Sequence, residues 1–229
     1  MNVAIIAAAG QGSRMAGNRP KQFLQLAGTP IIFHTLKPFE QCDSIQEVIV
    51  VLPAEESAGF LSLANQHGLR KVVRVVPGGA TRAESVWRGL LEIAATTVEI
   101  VAVHDGVRPF VTADEIDRTV AAAQTNGAAI LVAPAVDTIK QVNDDAVVKT
   151  LKRTELRHAL TPQCFRYGLL HRAYERADLH DPAVTDDSLL VEQLGESVMI
   201  VEGSFMNIKI TSKRDLLIGE AFLKDGLWS

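Results

Sequence analysis

Short runs of apolar residues alternate along this chain with longer stretches in which apolar positions recur at the spacing of an α-helix. The short runs are rich in Val and Ile and apolar nearly throughout, as is typical of strands covered on both faces. They predict strands at 2–8, 46–52, 71–76, 98–104, 127–133, 197–202 and 206–210. The longer stretches predict helices at 30–41, 54–67, 82–95, 113–126, 166–178, 186–194 and 213–224. This alternation predicts an α/β fold with a doubly wound, mostly parallel sheet.

Start signals support three of the predicted helices. Thr29 followed by Pro30 predicts an N-cap residue and a proline at the first helical position. The segments TRAE (81–84) and TADE (112–115) both fit a capping box. In that motif the threonine and glutamate side chains accept hydrogen bonds from backbone N–H groups at the helix start.

Residues 134–157 break the alternation with two short runs on either side of Asn143, Asp144 and Asp145. The pattern predicts a β-hairpin that projects from a single domain spanning 1–229. A projecting hairpin that carries apolar residues usually packs against another surface, so we expect a homodimer formed through this arm.

The composition is that of an ordinary globular protein, with 47% apolar and 22% charged residues among 229. Cys42 and Cys164 lie far apart without metal-ligand spacing, which argues against a zinc site or a disulfide scaffold and fits a reducing cytoplasm. The apolar start at 1–10 has no basic leader and predicts a buried strand rather than a signal peptide. No stretch approaches the roughly 20 apolar residues of a membrane span, so we expect no membrane association.

Charge is distributed unevenly along the chain. The net charge of −4 gives no reason to expect nucleic-acid binding. Residues 1–39, however, contain Arg14, Arg19, Lys21 and Lys37 and no acidic residue. A basic segment in a mildly acidic protein indicates a local anion site.

A glycine-rich turn, AAAGQGSRM (7–15), directly follows the first predicted strand. Ligands of doubly wound sheets bind at the carboxyl ends of strands, where glycines let backbone N–H groups approach a phosphate. A P-loop would need GxxxxGK[ST], which this turn lacks. A dinucleotide-binding turn would need a third glycine and an acidic residue about 20 positions on, whereas the first acidic residue is Glu40. The pattern therefore favours a nucleotidyltransferase loop, with Arg14 and Lys21 following it.

The chemistry of nucleotidyl transfer accounts for that pattern. Attack on the α-phosphate of a nucleoside triphosphate builds negative charge on the α-phosphoryl oxygens and on the departing pyrophosphate, without a covalent enzyme intermediate. Arg, Lys and a divalent cation neutralise such charge. Asp105, after the predicted strand at 98–104, is a candidate metal ligand. Lys209 lies in a predicted apolar strand, and a buried lysine needs an anion nearby.

Eight motifs follow one another along the chain: AAAGQGSRM (7–15), RPKQF (19–23), PGGATRAESV (77–86), VHDGVRPF (103–110), DTIK (137–140), HALTPQ (158–163), TDD (185–187) and NIKIT (207–211). Their set and order resemble, nearly end to end, those of the 2-C-methyl-D-erythritol 4-phosphate cytidylyltransferases of the non-mevalonate isoprenoid pathway. The resemblance implies a Rossmann-like nucleotidyltransferase fold with helices on both faces of a twisted sheet. It also implies transfer of CMP from CTP to 2-C-methyl-D-erythritol 4-phosphate, with Mg²⁺ as cofactor and pyrophosphate as the second product.

The resemblance implies roles for individual residues, which fall into three groups. The catalytic group would be Arg14, Lys21 and Lys209. The CTP-binding group would be Ala8, Ala9, Gly10, Gly12, Gly79, Ala80, Ser85 and Asp105. Within that group Gly79, Ala80 and Ser85 would line the cytosine pocket, and Asp105 would hold the ribose and Mg²⁺. The acceptor-binding group would be Arg108, Thr138, Arg153, Thr161 and Thr185, with Arg153 reaching across a dimer.

The chain departs from the family pattern at two places, and other functions stay open. Ala80 stands where the family often has an acidic residue, and Gly106-Val107 where it often has Ala-Ala. Ribitol 5-phosphate cytidylyltransferases look similar over residues 1–110, although HALTPQ and TDD favour the methylerythritol enzyme. The missing third glycine counts against a nicotinamide-dependent oxidoreductase. The joint retention of the basic residues and Asp105 counts against a non-catalytic scaffold.

Overall fold

A computed structural model describes residues 1–10, 20–94, 97–224 and 226. Its strands are, in chain order, β1 (Asn2–Ala7), β2 (Gln25–Leu26), β3 (Thr29–Pro30), β4 (Glu47–Leu52), β5 (Val72–Pro77), β6 (Ile100–Asp105), β7 (Ala128–Pro134), β8 (Lys140–Asn143), β9 (Ala146–Thr150), β10 (Arg157–Arg166) and β11 (Met199–Glu202). Its α-helices are α1 (Ile31–Gln41), α2 (Ala54–Ser57), α3 (Phe60–Gln66), α4 (Arg82–Leu91), α5 (Ala113–Asn126), α6 (Tyr167–Arg176), α7 (Asp187–Glu192) and α8 (Lys213–Lys224). Short 3₁₀ helices span Lys21–Phe23 and Arg153–Glu155.

The described residues form one large sheet of seven strands in the order β11-β7-β10-β6-β1-β4-β5. The strands pair in parallel except β10, which runs antiparallel to both of its neighbours, β6 and β7. The predicted mostly parallel α/β architecture is therefore confirmed. The carboxyl ends of β1, β4, β5 and β6 meet at one edge, where ligands of such sheets bind.

Both faces of the sheet are buried, because alternate residues of each strand point to opposite sides. In β1, Ala4 and Ile6 belong to a cluster with α1, α3 and α5, whereas Val3 and Ile5 belong to a cluster with α4, α6 and α7. A third, smaller cluster packs α8 against Phe110. This double cover explains why the strands are apolar nearly throughout rather than alternating.

Several predicted boundaries are wrong, for local reasons. The strand predicted at 206–210 is irregular backbone, although the N–H of Ile210 still donates to the carbonyl of Val107. The helix predicted at 54–67 is split into α2 and α3 by Gly59, whose φ is 78°. The helix predicted from Pro30 begins at Ile31, because Pro30 is the extended N-cap residue and pairs in β3. Strand β10 was not among the predicted strands.

The two predicted capping boxes have different outcomes. At α5 both halves form, because Thr112 accepts from the N–H of Glu115 and Glu115 accepts from the N–H of Thr112. At α4 the Thr81 side chain accepts from the N–H of Glu84 as expected. Glu84, however, accepts from the N–H of Ala80, one residue earlier, and so does not complete the box.

The predicted hairpin is confirmed. Strands β8 and β9 pair antiparallel around Asp144, which has a φ of 47°, and every residue in both strands is exposed. The pair forms a separate two-stranded sheet, so it stands apart from the main sheet. Within the described ranges, no helix combines the length and the apolar character needed to cross a membrane.

Candidate active site

A cavity of about 490 Å³ opens at the carboxyl ends of β1, β5 and β6. The predicted site residues on its wall are Ala8, Ala9, Gly10, Lys21, Gly79, Ala80, Ser85, Asp105 and Lys209. These residues come from segments as far apart in sequence as the first and last tenths of the chain. The fold therefore brings together most of the predicted nucleotide site, and it does so where α/β sheets bind their ligands.

The end of β1 is packed closely against the loop that follows β6. The N–H of Gly106 donates to the carbonyl of Ala7 at 2.9 Å. A Cβ at Gly106 would lie 2.4 Å from the Cβ of Ala8. The chain has Gly106-Val107 where the family often has Ala-Ala. The glycine fits here because the backbone at 106 lies so close to Ala8 that a side chain has no room.

Lys21 is held at the cavity by its neighbour in the 3₁₀ helix. Gln22 is buried, and its Nε2 donates to the carbonyl of Ala8 at 2.5 Å. This bond fastens the turn that carries Lys21 to the end of β1. The Oε1 atom of Gln22 is buried and has no hydrogen-bond partner among the described residues. Sequence reasoning did not single out Gln22; its place beside Lys21 in RPKQF was the available signal.

The loop at Gly79 and Ala80 is stabilised by the first turn of α4. The Ser85 hydroxyl accepts from the N–H of Gly79 at 3.1 Å and donates to the carbonyl of Thr81 at 2.8 Å. The Glu84 carboxylate accepts from the N–H of Ala80 at 2.7 Å. Both loop N–H groups are therefore already hydrogen-bonded within the protein, and Ser85 acts on the loop through its hydroxyl.

Asp105 is the electrostatic centre of the site. Its Oδ1 accepts from Nε of Arg82 at 2.9 Å, and its Oδ2 lies 2.8 Å from Nζ of Lys209 and 3.4 Å from Nε of Arg108. Burial alone would raise the pKa of Asp105, but the three cations more than offset it and hold that pKa well below its usual range. The anion expected near Lys209 is thus Asp105, although the strand expected around Lys209 is absent.

A neutral histidine supports Asp105 from behind. The Thr161 hydroxyl accepts from the N–H of Asp105 at 3.2 Å and lies 2.9 Å from Nδ1 of His104. Nε2 of His104 faces the carbonyl of Arg108 at 3.1 Å, and a carbonyl can only accept, so Nε2 carries the proton. Burial lowers the pKa of His104 to about 4. Thr161, predicted to bind the acceptor, therefore positions the end of β6.

Arg82 is a cavity residue that sequence reasoning missed. It lies at the first position of α4, lines the cavity and pairs with both Asp105 and Asp187. A signal was present, because a cation in the first turn of a helix opposes the helix dipole and therefore needs a carboxylate partner. Its two partners lie 23 and 105 residues away in sequence, so no local pattern could identify them.

The remaining predicted residues lie outside this cavity or outside the described residues. Arg108 is mostly buried beneath Asp105 and donates to the carbonyl of Asn207 at 2.8 Å. Thr138 and Thr185 are exposed, and Asp186 rather than Thr185 caps α7. Arg153 is exposed at the base of the hairpin. Gly12 and Arg14 lie outside the described residues.

The donor set for a divalent cation is small. Of the described residues that line the cavity, Asp105 alone carries a carboxylate. The described part of the chain contains no group of three or more His, Cys, Asp or Glu side chains arranged around a metal. Mg²⁺ normally uses one or two carboxylates together with substrate phosphates. Asp105 fits that mode once Lys209, whose side chain is 38% exposed, releases one oxygen.

The sheet, the cavity at its carboxyl edge and the lysines beside a cation-ringed aspartate define a nucleotide-binding α/β protein of the nucleotidyltransferase class. A family model described as 2-C-methyl-D-erythritol 4-phosphate cytidylyltransferase (IspD) matches residues 2–225. The chain therefore belongs to this cytidylyltransferase family.

Similar proteins of known name agree with that assignment. The chain is 43% identical to the 2-C-methyl-D-erythritol 4-phosphate cytidylyltransferase of Geobacter metallireducens, over 98% of each protein. It is 45% identical to the protein of that name from Pelotomaculum thermopropionicum, over 96% of this chain and 93% of the relative. The crystal structure of 4-diphosphocytidyl-2C-methyl-D-erythritol synthase from Anaerococcus prevotii superposes with a TM-score of 0.86 at 31% identity, covering 97% of this chain and 98% of that one.

Proposed function

We propose that this chain transfers CMP from CTP to 2-C-methyl-D-erythritol 4-phosphate and releases pyrophosphate. The observation that carries the proposal is the cavity at the carboxyl edge of the sheet, which collects the motif residues of the family and is lined by Lys21 and Lys209. An acceptor phosphate oxygen attacks the α-phosphorus, a new P–O bond forms, and the bond to the β-phosphate oxygen breaks.

The chain's contribution is to position the reactants and neutralise charge. Lys21 and Lys209 supply ammonium groups at the cavity wall, and Arg82 and Arg108 keep Asp105 ionised beside them. Fixed cations that face developing phosphoryl charge need no reorganisation when the bond breaks, which is the main source of catalysis in such reactions. Arg14 is proposed to join this set.

The nucleotide base is proposed to lie against the Gly79–Ala80 loop. Because the N–H groups of Gly79 and Ala80 are satisfied by Ser85 and Glu84, the loop offers the base its backbone carbonyls. A carbonyl accepts a hydrogen bond from the exocyclic amine of cytosine, whereas uracil has a carbonyl at that position. Selectivity for CTP over UTP follows from this preference.

A substrate panel tests the proposal. The chain is incubated with Mg²⁺, one of CTP, UTP or ATP, and either 2-C-methyl-D-erythritol 4-phosphate or ribitol 5-phosphate, and pyrophosphate release is measured. We expect release with CTP and the methylerythritol acceptor, and loss of it in Lys209→Ala but not in the matched exposed variant Lys213→Ala. Preferential use of ribitol 5-phosphate would favour the alternative cytidylyltransferase, which the named relatives do not support.

Asp105 is proposed to contribute one ligand to a Mg²⁺ ion bound with the triphosphate, where the ion would neutralise phosphate charge. The support is its place as the carboxylate of the described cavity wall. We expect excess EDTA to abolish turnover and Asp105→Asn to weaken the dependence of the rate on Mg²⁺ concentration. The measurement is initial rate against free Mg²⁺; full activity in EDTA would contradict the metal role.

The hairpin is proposed to form a homodimer, with residues 1–229 as one domain that carries the arm. Val142, Val147 and Val148 on β8 and β9 are each more than half exposed, a costly arrangement for an isolated arm. A second copy would cover them. We also propose that the enzyme works in the cytoplasm, supported by the two buried free cysteines, Cys42 and Cys164.

A further inference from the structure

A fully buried carboxylate lies behind the cavity. Asp187 is 0% exposed and occupies the first position of α7. It is not among the residues that line the cavity. Its Oδ2 accepts from Nη2 of Arg82 at 2.8 Å, and its Oδ1 accepts from the Tyr174 hydroxyl at 2.5 Å. A charge removed from water in this way is costly unless it is paired and hydrogen-bonded, and Arg82 and Tyr174 supply those partners.

Arg82 connects that carboxylate to the site. Its guanidinium donates from Nε to Asp105 and from Nη2 to Asp187, so two carboxylates from different elements hold it from two sides. Burial opposes the charge on Arg82, but Asp187 and then Asp105 more than offset it and place the pKa of Arg82 well above its usual value. The guanidinium is therefore both permanently charged and fixed in orientation.

Tyr174 is the second hydrogen-bond partner of the Asp187 carboxylate. Burial, and then the negative charge of Asp187, raise the pKa of Tyr174 well above its usual value, so its hydroxyl remains a donor. Its ring stacks on Trp87 of α4 with centroids 5.8 Å apart and planes 4° apart. Helix α6 thus contacts the same helix that carries Arg82, both through this stack and through Asp187.

Two of the family motifs meet at this point. Gln163 of HALTPQ accepts from the N–H groups of Asp187 and Ser188 at 3.1 and 3.0 Å, and its Nε2 donates to Asp186 at 2.8 Å. The side chain of one strand residue therefore fixes the start of α7. This contact explains physically why HALTPQ and TDD occur together in the chain.

We propose that Asp187 and Tyr174 are positioning residues for nucleotidyl transfer, which act through Arg82 to fix the orientation of Asp105 at the site. The proposal rests on the proposed function, since its kinetic effect is an effect on that reaction. Neither Asp187 nor Tyr174 is among the residues that line the cavity. Their role is to keep Oδ1 of Asp105 hydrogen-bonded to Arg82. Oδ2 is then the oxygen that faces Lys209 or a cation.

The test combines two kinds of measurement. Steady-state kinetics with CTP give kcat and KM for Asp187→Asn, Tyr174→Phe, Arg82→Gln and the double variant Arg82→Gln/Asp187→Asn. Loss of a hydrogen bond to a charged group should lower kcat/KM for CTP by on the order of 10- to 100-fold in Asp187→Asn, and loss of one hydroxyl by about 2- to 10-fold in Tyr174→Phe. In the double variant, Asp187→Asn should add less than about a two-fold further loss to that of Arg82→Gln, because Asp187 acts through Arg82.

A matched control separates this role from simple folding effects. Tyr167 lies on the same helix, its ring is tilted by 42° to that of His171, and its hydroxyl makes no hydrogen bond to a described residue. Tyr167→Phe should therefore leave kcat/KM unchanged. All kinetics are measured well below each variant's melting temperature, and the melting temperatures are compared separately.

A second measurement does not depend on activity. In wild type the Nε–H resonance of Arg82 in a side-chain ¹H–¹⁵N spectrum should be protected from solvent exchange, and Asp187→Asn should remove that protection. If this protection is seen but wild type does not use CTP, the proposed function fails, whereas the fixing of Arg82 between Asp105 and Asp187 is supported. The positioning role is overturned if the Asp187→Asn and Arg82→Gln losses multiply in full, or if Tyr174→Phe lowers only the melting temperature.

Discussion

The side chains in and around the Asp105 cluster carry more positive than negative charge. Three cations, Arg82, Arg108 and Lys209, face two carboxylates, Asp105 and Asp187. The cluster therefore carries one excess positive charge, and both of its carboxylates are buried. An anion that enters the cavity neutralises this excess positive charge, so the cluster favours a phosphate over a neutral ligand.

Lys21 provides the first residue-scale prediction. Its place on the cavity wall, fixed through Gln22, suits it to stabilise charge that develops in the transition state. Lys21→Ala should lower kcat by on the order of 10²- to 10³-fold, by analogy with the loss of one oxyanion donor. Lys37→Ala, an exposed lysine of the same basic segment, is the control and should not change kcat. A raised KM for CTP with normal kcat would exclude the transition-state role.

His104 provides a prediction about pH. Its pKa is lowered to about 4 in the folded protein by burial, against about 6.5 in an unfolded chain. Because the folded pKa is the lower one, the stabilising contribution is complete above about pH 6.5 and is lost as pH falls toward 4. The loss from this group should be at most about 1.4 kcal/mol for each pH unit in that window.

Two measurements check the behaviour of His104. Its imidazole carbon resonances should stay those of the neutral ring from pH 7.5 down to about 5, and denaturant unfolding should show stability falling between about pH 6.5 and pH 4. The His104→Gln variant should show a shallower fall. A ring that titrates near pH 6.5 in the folded protein would contradict the prediction.

At the scale of elements, the sequence predicted the strands that are continuous apolar runs, because burial on both faces requires such runs. It missed β10, since HALTPQCFR contains a proline and polar residues that face other protein groups rather than solvent. Gln163 and Thr161 are buried there with their hydrogen bonds satisfied, which only the tertiary structure can provide. The error at 206–210 has the opposite cause. Met206, Ile208 and Ile210 alternate with polar residues as they would in a strand, but this segment pairs with none of the described strands.

The candidate site was predictable to the extent that its residues lie in recognisable motifs. Lys21, Gly79, Asp105 and Lys209 follow from those motifs, and the structure places them on one cavity. The pairing of Arg82 with Asp187 was not predictable, because it depends on α4 and α7 approaching each other across the end of the sheet. Contacts of this kind leave no periodic pattern in either segment.

The capping box of α5 gives a prediction at the element scale. Thr112 and Glu115 satisfy each other's backbone N–H groups, and Glu115 also accepts from the N–H of Ser204 at 2.6 Å. Thr112→Ala should cost about 1 kcal/mol of unfolding free energy with kcat unchanged. Thr125→Ala, at the exposed far end of α5, should cost less than about 0.5 kcal/mol. Denaturant unfolding measures both, and equal costs would argue against the cap.

At the scale of the whole molecule, the hairpin arm formed by β8 and β9 is an exposed surface that a second copy of the chain could cover. Strands β8 and β9 contribute nothing to the main sheet, and their valines are exposed. Arg153 lies at the base of this arm, where its Nη1 donates to the carbonyl of Val136 at 2.6 Å. If the arm packs against a second copy of the chain, Arg153 lies near the partner's cavity rather than the cavity of its own subunit.

Mixing two inactive variants tests that arrangement. Lys21 should serve its own subunit and Arg153 the partner's, so Lys21→Ala and Arg153→Ala should each be nearly inactive as homodimers. After subunit exchange, one site of each heterodimer combines both defects and the other is complete. Activity should return to roughly a quarter of wild type, since about half of the dimers are mixed and each has one good site. Proven exchange without recovery would place Arg153 in its own subunit's site.

Strand β10 lies between β6 and β7 in the sheet but follows both of them in the chain, and this order affects how the polypeptide folds during synthesis. Strands β1, β4, β5 and β6 are complete once residue 105 has emerged from the ribosome, and they can form a parallel half-sheet with their helices. The open side of β6 then has no neighbour until residues 157–166 arrive and insert between β6 and β7. Throughout that interval the nascent chain displays an apolar strand edge able to pair with another chain, which makes the middle of translation the period when chaperone protection matters most.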